Sequence, residues 1–250
     1  MTIRVGVTLP SFVDDPEIPI AVAQAAEEAG LDAVFVYDHL WRGDPPNRRP
    51  ALECFALLGA VAAETRRIRV GTLVARATLR PPATLANGFA TAHRIAGEDR
   101  LIAVIGAGDS QSRAENEAFG LGFGSLVDRV NALHDAVRAA AGNDFPVWVG
   151  GRAMQVREIV AIADGWNSWG SEPEKFAQES ASVLEVAPDA TLTWGGLARP
   201  REEGAGTLAE RLAPYAAAGA SWIIVGPVDS SDPGNAPVLG EVRERLNSAR

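Results

Sequence analysis

Short apolar runs and amphipathic segments alternate along this chain with one rhythm. Eight runs read as strands: IRVGVTL (3–9), AVFVY (33–37), IRVGTLV (68–74), LIAVIGA (101–107), PVWVG (146–150), GWNSW (165–169), TLTWGGL (191–197) and SWIIVG (221–226). Several are apolar at consecutive positions, the pattern of a parallel strand buried on both faces. Helical periodicity follows each one, over 18–30, 51–65, 82–97, 125–142, 154–165, 172–186, 207–219 and 238–249. Gly30 and Gly142 stop two of these helices, and Pro82 suits the first turn of a third. Pro214 predicts a kink or a break in the seventh. The Pro/Gly-rich stretch 228–237 reads as a loop, because a helix must still follow it.

Strict alternation implies a parallel sheet. Eight strand–helix units in 250 residues match the repeat count and length of an α/β (β/α)8 TIM barrel, here a single domain over 1–250. A doubly wound sheet is the alternative, but its ligand site sits near the first strand. Here the chemically interesting residues end several different strands, which favours the barrel.

Composition narrows the function. Hydrophobic residues make up 47% of the chain, which excludes a disordered polymer. The net charge is −9 and no basic block occurs, so nucleic-acid binding is disfavoured. No apolar run reaches about eighteen residues, and MTIRVGVTLP lacks the features of a signal peptide. The expectation is a cytoplasmic protein that does not engage membranes. The single cysteine, Cys54, permits no disulfide within the chain and reads as a core residue.

Active sites of TIM barrels gather at the carboxyl ends of the strands. Those ends hold Thr8, then Asp38 and His39, then Leu73 and Val74, then Gly106, Ala107, Gly108 and Asp109, then Gly150 and Gly151, then Ser168 and Trp169. His39 directly follows AVFVY, which places it on the rim of the mouth. Imidazole passes protons near neutrality; the alternative is a histidine closing a turn with Asp38. Asp109 reads as a proton partner for His39 or as the N-cap of a helix carrying Glu115 and Glu117. GAGDSQ is not a dinucleotide fingerprint, because Gln111 occupies the third glycine position. It suits a backbone that closely approaches a flat ligand.

VGGRAM (149–154) offers backbone N–H groups and a helix N-terminus to an anion, and WNSWG (166–170) adds a hydroxyl. Together they suggest a clamp for an anionic tail between the fifth and sixth strands; the alternative is a pair of tight turns. His93 and His134 lie mid-helix and read as structural. No spaced cysteine pair, H-E-x-x-H or G-x-S-x-G occurs, so neither a metal site nor that class of hydrolase is expected. A TIM-barrel lyase acting on a phosphorylated substrate is a competing reading. The only lysine, Lys175, is on a helix, so a Schiff-base mechanism has no candidate.

AEEAGLDAVFVYDHLW (26–41), RIRVGTLVARATLRPPATLANGFATAHRIAGEDRLIAVIGAGD (67–109), AENEAFGL (114–121) and the elements PVWVGG and IADGWN within 146–167 resemble the luciferase-like monooxygenase superfamily. The resemblance spans about two thirds of the chain. It implies a TIM barrel that binds the ring of F420 or FMN in its mouth and oxidises or reduces a small organic substrate by hydride transfer or monooxygenation. DHLW and GAGD tilt the choice toward F420. It also implies a non-prolyl cis peptide at Leu73–Val74 behind the ring. By the same resemblance His39 is the active-site histidine, and Asp109 stands where F420-dependent relatives carry a glutamate proton donor. Cofactor contacts are then implied for Thr8, Asp38, His39, Leu73, Val74, Ala107, Gly108, Gly150, Gly151, Ser168 and Trp169. Family members carry a long insertion before the fifth strand that this chain lacks. Its mouth is therefore open or closed by a partner subunit in a homodimer or larger homo-oligomer. A non-catalytic cofactor-binding barrel that lost its lid is the alternative from another functional class.

Overall fold

The computed structural model of the chain describes residues 2–43 and 48–248. Eight parallel strands form the barrel: β1 (Arg4–Thr8), β2 (Ala33–Val36), β3 (Arg69–Thr72), β4 (Leu101–Gly106), β5 (Val147–Gly150), β6 (Gly165–Trp169), β7 (Thr191–Ala198) and β8 (Trp222–Pro227). Neighbours follow the order β3-β2-β1-β8-β7-β6-β5-β4. The ring closes where β3 pairs with β4 through Val70↔Leu101 and Gly71↔Ile102. Closure separates this barrel from the open doubly wound sheet.

The helices are α1 (Glu17–Glu28), α2 (Cys54–Glu64), α3 (Pro82–Ala96), α4 (Arg113–Ala118), α5 (Leu126–Ala140), α6 (Ala153–Val160), α7 (Pro173–Leu184), α8 (Pro200–Glu203), α9 (Ala205–Ala217) and α10 (Asn235–Ser248). Among the described residues none is long and apolar enough to cross a membrane. Three bear directly on the sequence expectation. The helix expected over 154–165 ends at Val160, because Asp164 already joins the strand layer: its N–H donates to Val147 O and its carboxylate accepts from Val147 N, both at 2.8 Å. Helix α9 runs through Pro214 without a break. Helix α10 starts at Asn235, so it takes over the end of the expected 228–237 loop; Ala249, at the end of the expected helix, lies outside the described residues. The connection from α5 to β5 is only residues 141–146, so the family's insertion is absent there.

The barrel interior is filled by Phe35, Trp148 and Trp222 with Ala33, Leu73, Ile102, Val104 and Ile224. Rings of that size fit only where neighbouring strands withhold a side chain. A Cβ at Gly6 would stand 2.8 Å from Phe35 Cε2, and one at Gly165 would stand 2.8 Å from Trp148 Cδ1. At the amino-terminal end of the barrel, the Arg4 and Arg69 guanidiniums lie 5.5 and 5.9 Å from the centre of the Trp222 ring. The larger core lies between the strands and the helices, around Leu58, Leu85, Phe89, Leu133 and Phe176. Cys54 belongs to it, and burial pushes its thiol well above the ordinary range. Helix α10 is latched to β1 and β2: Arg243 clasps the Asp32 carboxylate at 2.7 and 3.1 Å, and Asn247 exchanges two hydrogen bonds with the Ile3 backbone.

Candidate active site

The chain leaves β2 through Tyr37, Asp38 and His39, and each takes a different direction. Tyr37 continues the inward-facing series of Ala33 and Phe35. Its hydroxyl donates to the buried Thr8 Oγ1 at 2.7 Å, and burial raises its pKa. Asp38 turns away from the mouth. It is 2% exposed, accepts two hydrogen bonds from Arg80 at 2.7 and 3.1 Å, and accepts the Arg76 N–H at 2.9 Å. Burial disfavours the Arg80 charge, but Asp38 and then Glu53 outweigh it and hold the guanidinium more firmly protonated. Asp38 thus ties the end of β2 to the segment after β3.

His39 stays at the rim, with its side chain 34% exposed and its ring 5.7 Å from that of Phe12. Its Nδ1 lies 2.8 Å from Glu115 Oε1. The other carboxylate oxygen of Glu115 accepts the Leu40 N–H at 2.9 Å and one N–H of Arg76 at 3.1 Å. Burial alone would raise the Glu115 pKa. The His39 hydrogen bond, the Leu40 amide and the charges of His39 and Arg76 reverse that, so Glu115 is held below the usual glutamate range. An ionised carboxylate only accepts. Nδ1 is therefore the ring's N–H, and Nε2 is the position left to exchange a proton.

Arg76 unites the two acids. Its Nε donates to the Asp38 carbonyl at 2.7 Å, its Nη1 to Asn116 Oδ1 at 3.2 Å and its Nη2 to Glu115. It is 3% exposed, and burial lowers its pKa against the pull of Glu115 and Asp38. A buried cation bonded on three nitrogens holds α4 and the β2 exit in one geometry.

Beside this corner lies a floor built from glycines. The Leu73–Val74 peptide is cis, as the resemblance implied. Val74 projects over the ends of β4 and β5: a Cβ at Gly106 would stand 2.5 Å from Val74 Cγ2, and one at Gly150 would stand 2.5 Å from Val74 Cγ1. Only glycine lets that side chain settle there. Gly108 has φ 72°, a conformation glycine favours. On the far side Trp169, 43% exposed, covers Gly195 and Gly226, whose added Cβ atoms would stand 2.5 and 3.1 Å from its ring.

The structure does not bring all the sequence-derived candidates together. Thr8, Leu73, Val74, Gly108, Gly150 and Trp169 sit at the carboxyl-terminal end of the barrel with His39, whereas Ala107 packs against the core between strands and helices. Asp109, read either as a proton partner for His39 or as an N-cap, caps the turn Ser110–Ser112: its Oδ1 accepts from Ser112 N and Oγ, each at 3.1 Å. The carboxylate that meets His39 comes from Glu115. Gly151 does not offer its N–H outward, because it donates to Asn167 O at 3.2 Å. Ser168 is buried on the helix-facing side of β6, its hydroxyl 2.8 Å from that of Ser171. The open backbone donors there belong instead to the first turn of α6, after Arg152.

Glu115 and Arg76 were missed by reading the strand ends alone. One signal for Glu115 was available. Glu115 and Glu117 are two apart on a helix, about 200° around its axis, so both cannot face solvent equally.

A closed parallel barrel with its titratable pair at the carboxyl end of β2 defines a (β/α)8 protein with the layout of a barrel enzyme. Residues 3–145 match the family model described as luciferase-like monooxygenase, and the chain belongs to that family. A protein of Mycobacterium tuberculosis described only as uncharacterised is 26% identical over 212 residues, covering 70% of this chain and 73% of that one. An F420-dependent glucose-6-phosphate dehydrogenase of Nakamurella multipartita is 36% identical over 124 residues, 46% of this chain and 34% of that protein. Among solved structures, an F420-dependent secondary alcohol dehydrogenase in complex with an F420–acetone adduct aligns with a TM-score of 0.83 at 14% identity, over 98% of this chain and 99% of that one. The EDTA monooxygenase of Chelativorans sp. BNC1 aligns at 0.78 and 11% identity, over 98% and 94%. At those identities the two structures establish the fold.

Proposed function

We propose that this chain, read as one domain over 1–250, is an oxidoreductase that binds F420 or FMN at the carboxyl-terminal mouth and acts on a small organic substrate. F420 is the favoured cofactor, on the DHLW and GAGD segments and on the F420-dependent dehydrogenases among the relatives. The observation that carries the reading is the His39–Glu115 pair beside the Val74 floor.

The residues present fit a flat ring. Gly106 and Gly150 raise no side chain against Val74, and Gly108 raises none beside Arg76, so a planar group can lie there. When bound, either cofactor supplies hydride chemistry, and FMN can also activate oxygen. His39 moves a proton at Nε2 to or from the substrate, while Glu115 holds Nδ1–H and keeps the ring oriented. Tyr37 and Thr8 pack the inner wall. The first turn of α6, beside Gly150, Gly151 and Ser168, receives the cofactor's anionic tail. Trp169, Leu197 and Phe119 are exposed, and a second copy of the chain covering them completes the reading; light scattering tests that part.

Titration of the protein with F420 and FMN separately, followed by tryptophan quenching, is the deciding experiment. F420 is expected to bind about tenfold more tightly than FMN or better. Binding of neither refutes the proposal. Binding without turnover over a panel of alcohols, aldehydes and sugar phosphates favours a non-catalytic cofactor-binding barrel.

A further inference from the structure

Directly past His39 the chain forms a short hairpin in which Trp41–Arg42 pairs antiparallel with Arg49–Pro50. Arg42 stands opposite Arg49 in that pairing, and Arg48 adjoins them. Like charges directly across a ladder repel, so the pairing works against the hairpin it belongs to. Among the described residues none of the three arginines forms an ion pair. Asp44, between them in sequence, lies outside the described residues. The chain as a whole is acidic, with a net charge of −9, so the cluster is a local exception.

Two of the guanidiniums lie over aromatic rings, Arg48 at 3.8 Å from the Trp41 centroid and Arg42 at 5.5 Å from that of Phe12. Stacking on a ring leaves the planar N–H fork exposed at its edge, the geometry that takes a carboxylate or phosphate in two parallel hydrogen bonds. Arg42, Gly43, Arg48 and Arg49 line a cavity of about 520 Å3, within the size range of small-molecule sites. Phe12 connects that cavity to the candidate active site, because the same ring packs against His39 at 5.7 Å.

We propose that Arg42, Arg48 and Arg49 are a substrate-recognition rim that takes a carboxylate or phosphate group of the substrate. In the ring of strands β2 stands opposite β6. An anion on this rim is therefore across the mouth from the tail site at β5 and β6. Its assignment to the substrate and not to the cofactor rests on the cofactor placement proposed above.

Calorimetric titration with inorganic phosphate at constant ionic strength tests the rim. It compares the wild type, the triple variant R42Q/R48Q/R49Q, and the charge-matched control R94Q/R138Q/R245Q on the exposed faces of α3, α5 and α10. The rim variant is expected to lose phosphate affinity by about tenfold or more, while the control keeps it. F420 and FMN affinities of the rim variant are expected to stay within about threefold of the wild type. The proposal is overturned if the wild type does not bind phosphate, if the control loses as much as the rim variant, or if the loss falls equally on a cofactor. If neither cofactor binds the wild type, the proposed function fails, and the phosphate comparison still decides whether the rim recognises anions.

Discussion

Glu115 Oε1 lies 2.8 Å from His39 Nδ1, although 76 residues separate the two in sequence. The second oxygen of the same carboxylate takes the Leu40 amide, so one side chain fixes both the ring of His39 and the backbone that follows it. Orientation and tautomer are set together.

That pairing divides the work between two residues. His39→Ala is expected to lower kcat by about 10²–10⁴-fold, with cofactor affinity changed by less than about threefold. Glu115→Gln keeps the shape but removes the ionised acceptor, and a loss of about 10–100-fold is expected, with an altered pH–rate profile. Steady-state rates and cofactor titrations on both variants check this. Equal, small losses for both would reduce His39 to a residue that closes a turn.

Stability should respond to acid through the same carboxylate. The folded-state pKa of Glu115 is lowered from the ordinary 4.5. A depressed acid contributes stability fully above its unfolded value, and loses it as pH falls through the folded value. Wild type should therefore melt above Glu115→Gln at neutral pH, and the gap should narrow below about pH 4.5. Thermal melts of the two proteins between pH 3 and 7, roughly the span in which carboxylates titrate, would expose a wrong sign.

The floor makes a prediction about packing. Gly106→Ala places a methyl 2.5 Å from Val74 Cγ2, so a destabilisation of about 1–3 kcal/mol is expected. Val74→Ala removes the clashing methyl groups. The double variant should recover part of the loss, with a coupling of about 0.5–3 kcal/mol in a denaturant cycle. Strict additivity would mean that Val74 is not what Gly106 accommodates.

Asp38 should behave as a structural acid. Asp38→Ala removes the acceptor of the Arg76 amide and one of the two carboxylates that hold Arg80, leaving it Glu53, and a cost of about 1–3 kcal/mol is expected. Chemical denaturation measures it directly. A variant of wild-type stability that has lost only cofactor affinity would return Asp38 to a ligand-binding role.

The barrel was legible because its signal is repeated. Eight apolar runs with helical spacing between them leave few other ways to bury both faces of a parallel strand. Local chemistry was legible where the backbone itself decides it. His39 follows the last strand residues of β2, and no side-chain choice can move it far from the rim. Residues whose role depends on rotation about a helix were not legible in this way. Asp109 and Glu115 are both acids past the end of β4, and strand-end position favours Asp109. The turn at Ser110–Ser112 takes up the Asp109 carboxylate and sets the phase of α4, which rotates Glu115 and Asn116 inward and Glu117 out. Arg76 was hidden for a related reason. Its partners come from β2 and α4, and only the folded chain brings those acids to one guanidinium.

The aromatic filling of the barrel has a further consequence for traffic. Phe35, Trp148 and Trp222 occupy the interior, and Arg4 and Arg69 lie over the Trp222 ring at the far end. Among the described residues, this leaves the barrel with one doorway. Under the proposed function, a cofactor ring on the Val74 floor and a substrate at His39 would share that opening. With the ring seated deeper, the proposed reaction would take up its two guests in a fixed order, set by depth and not by affinity.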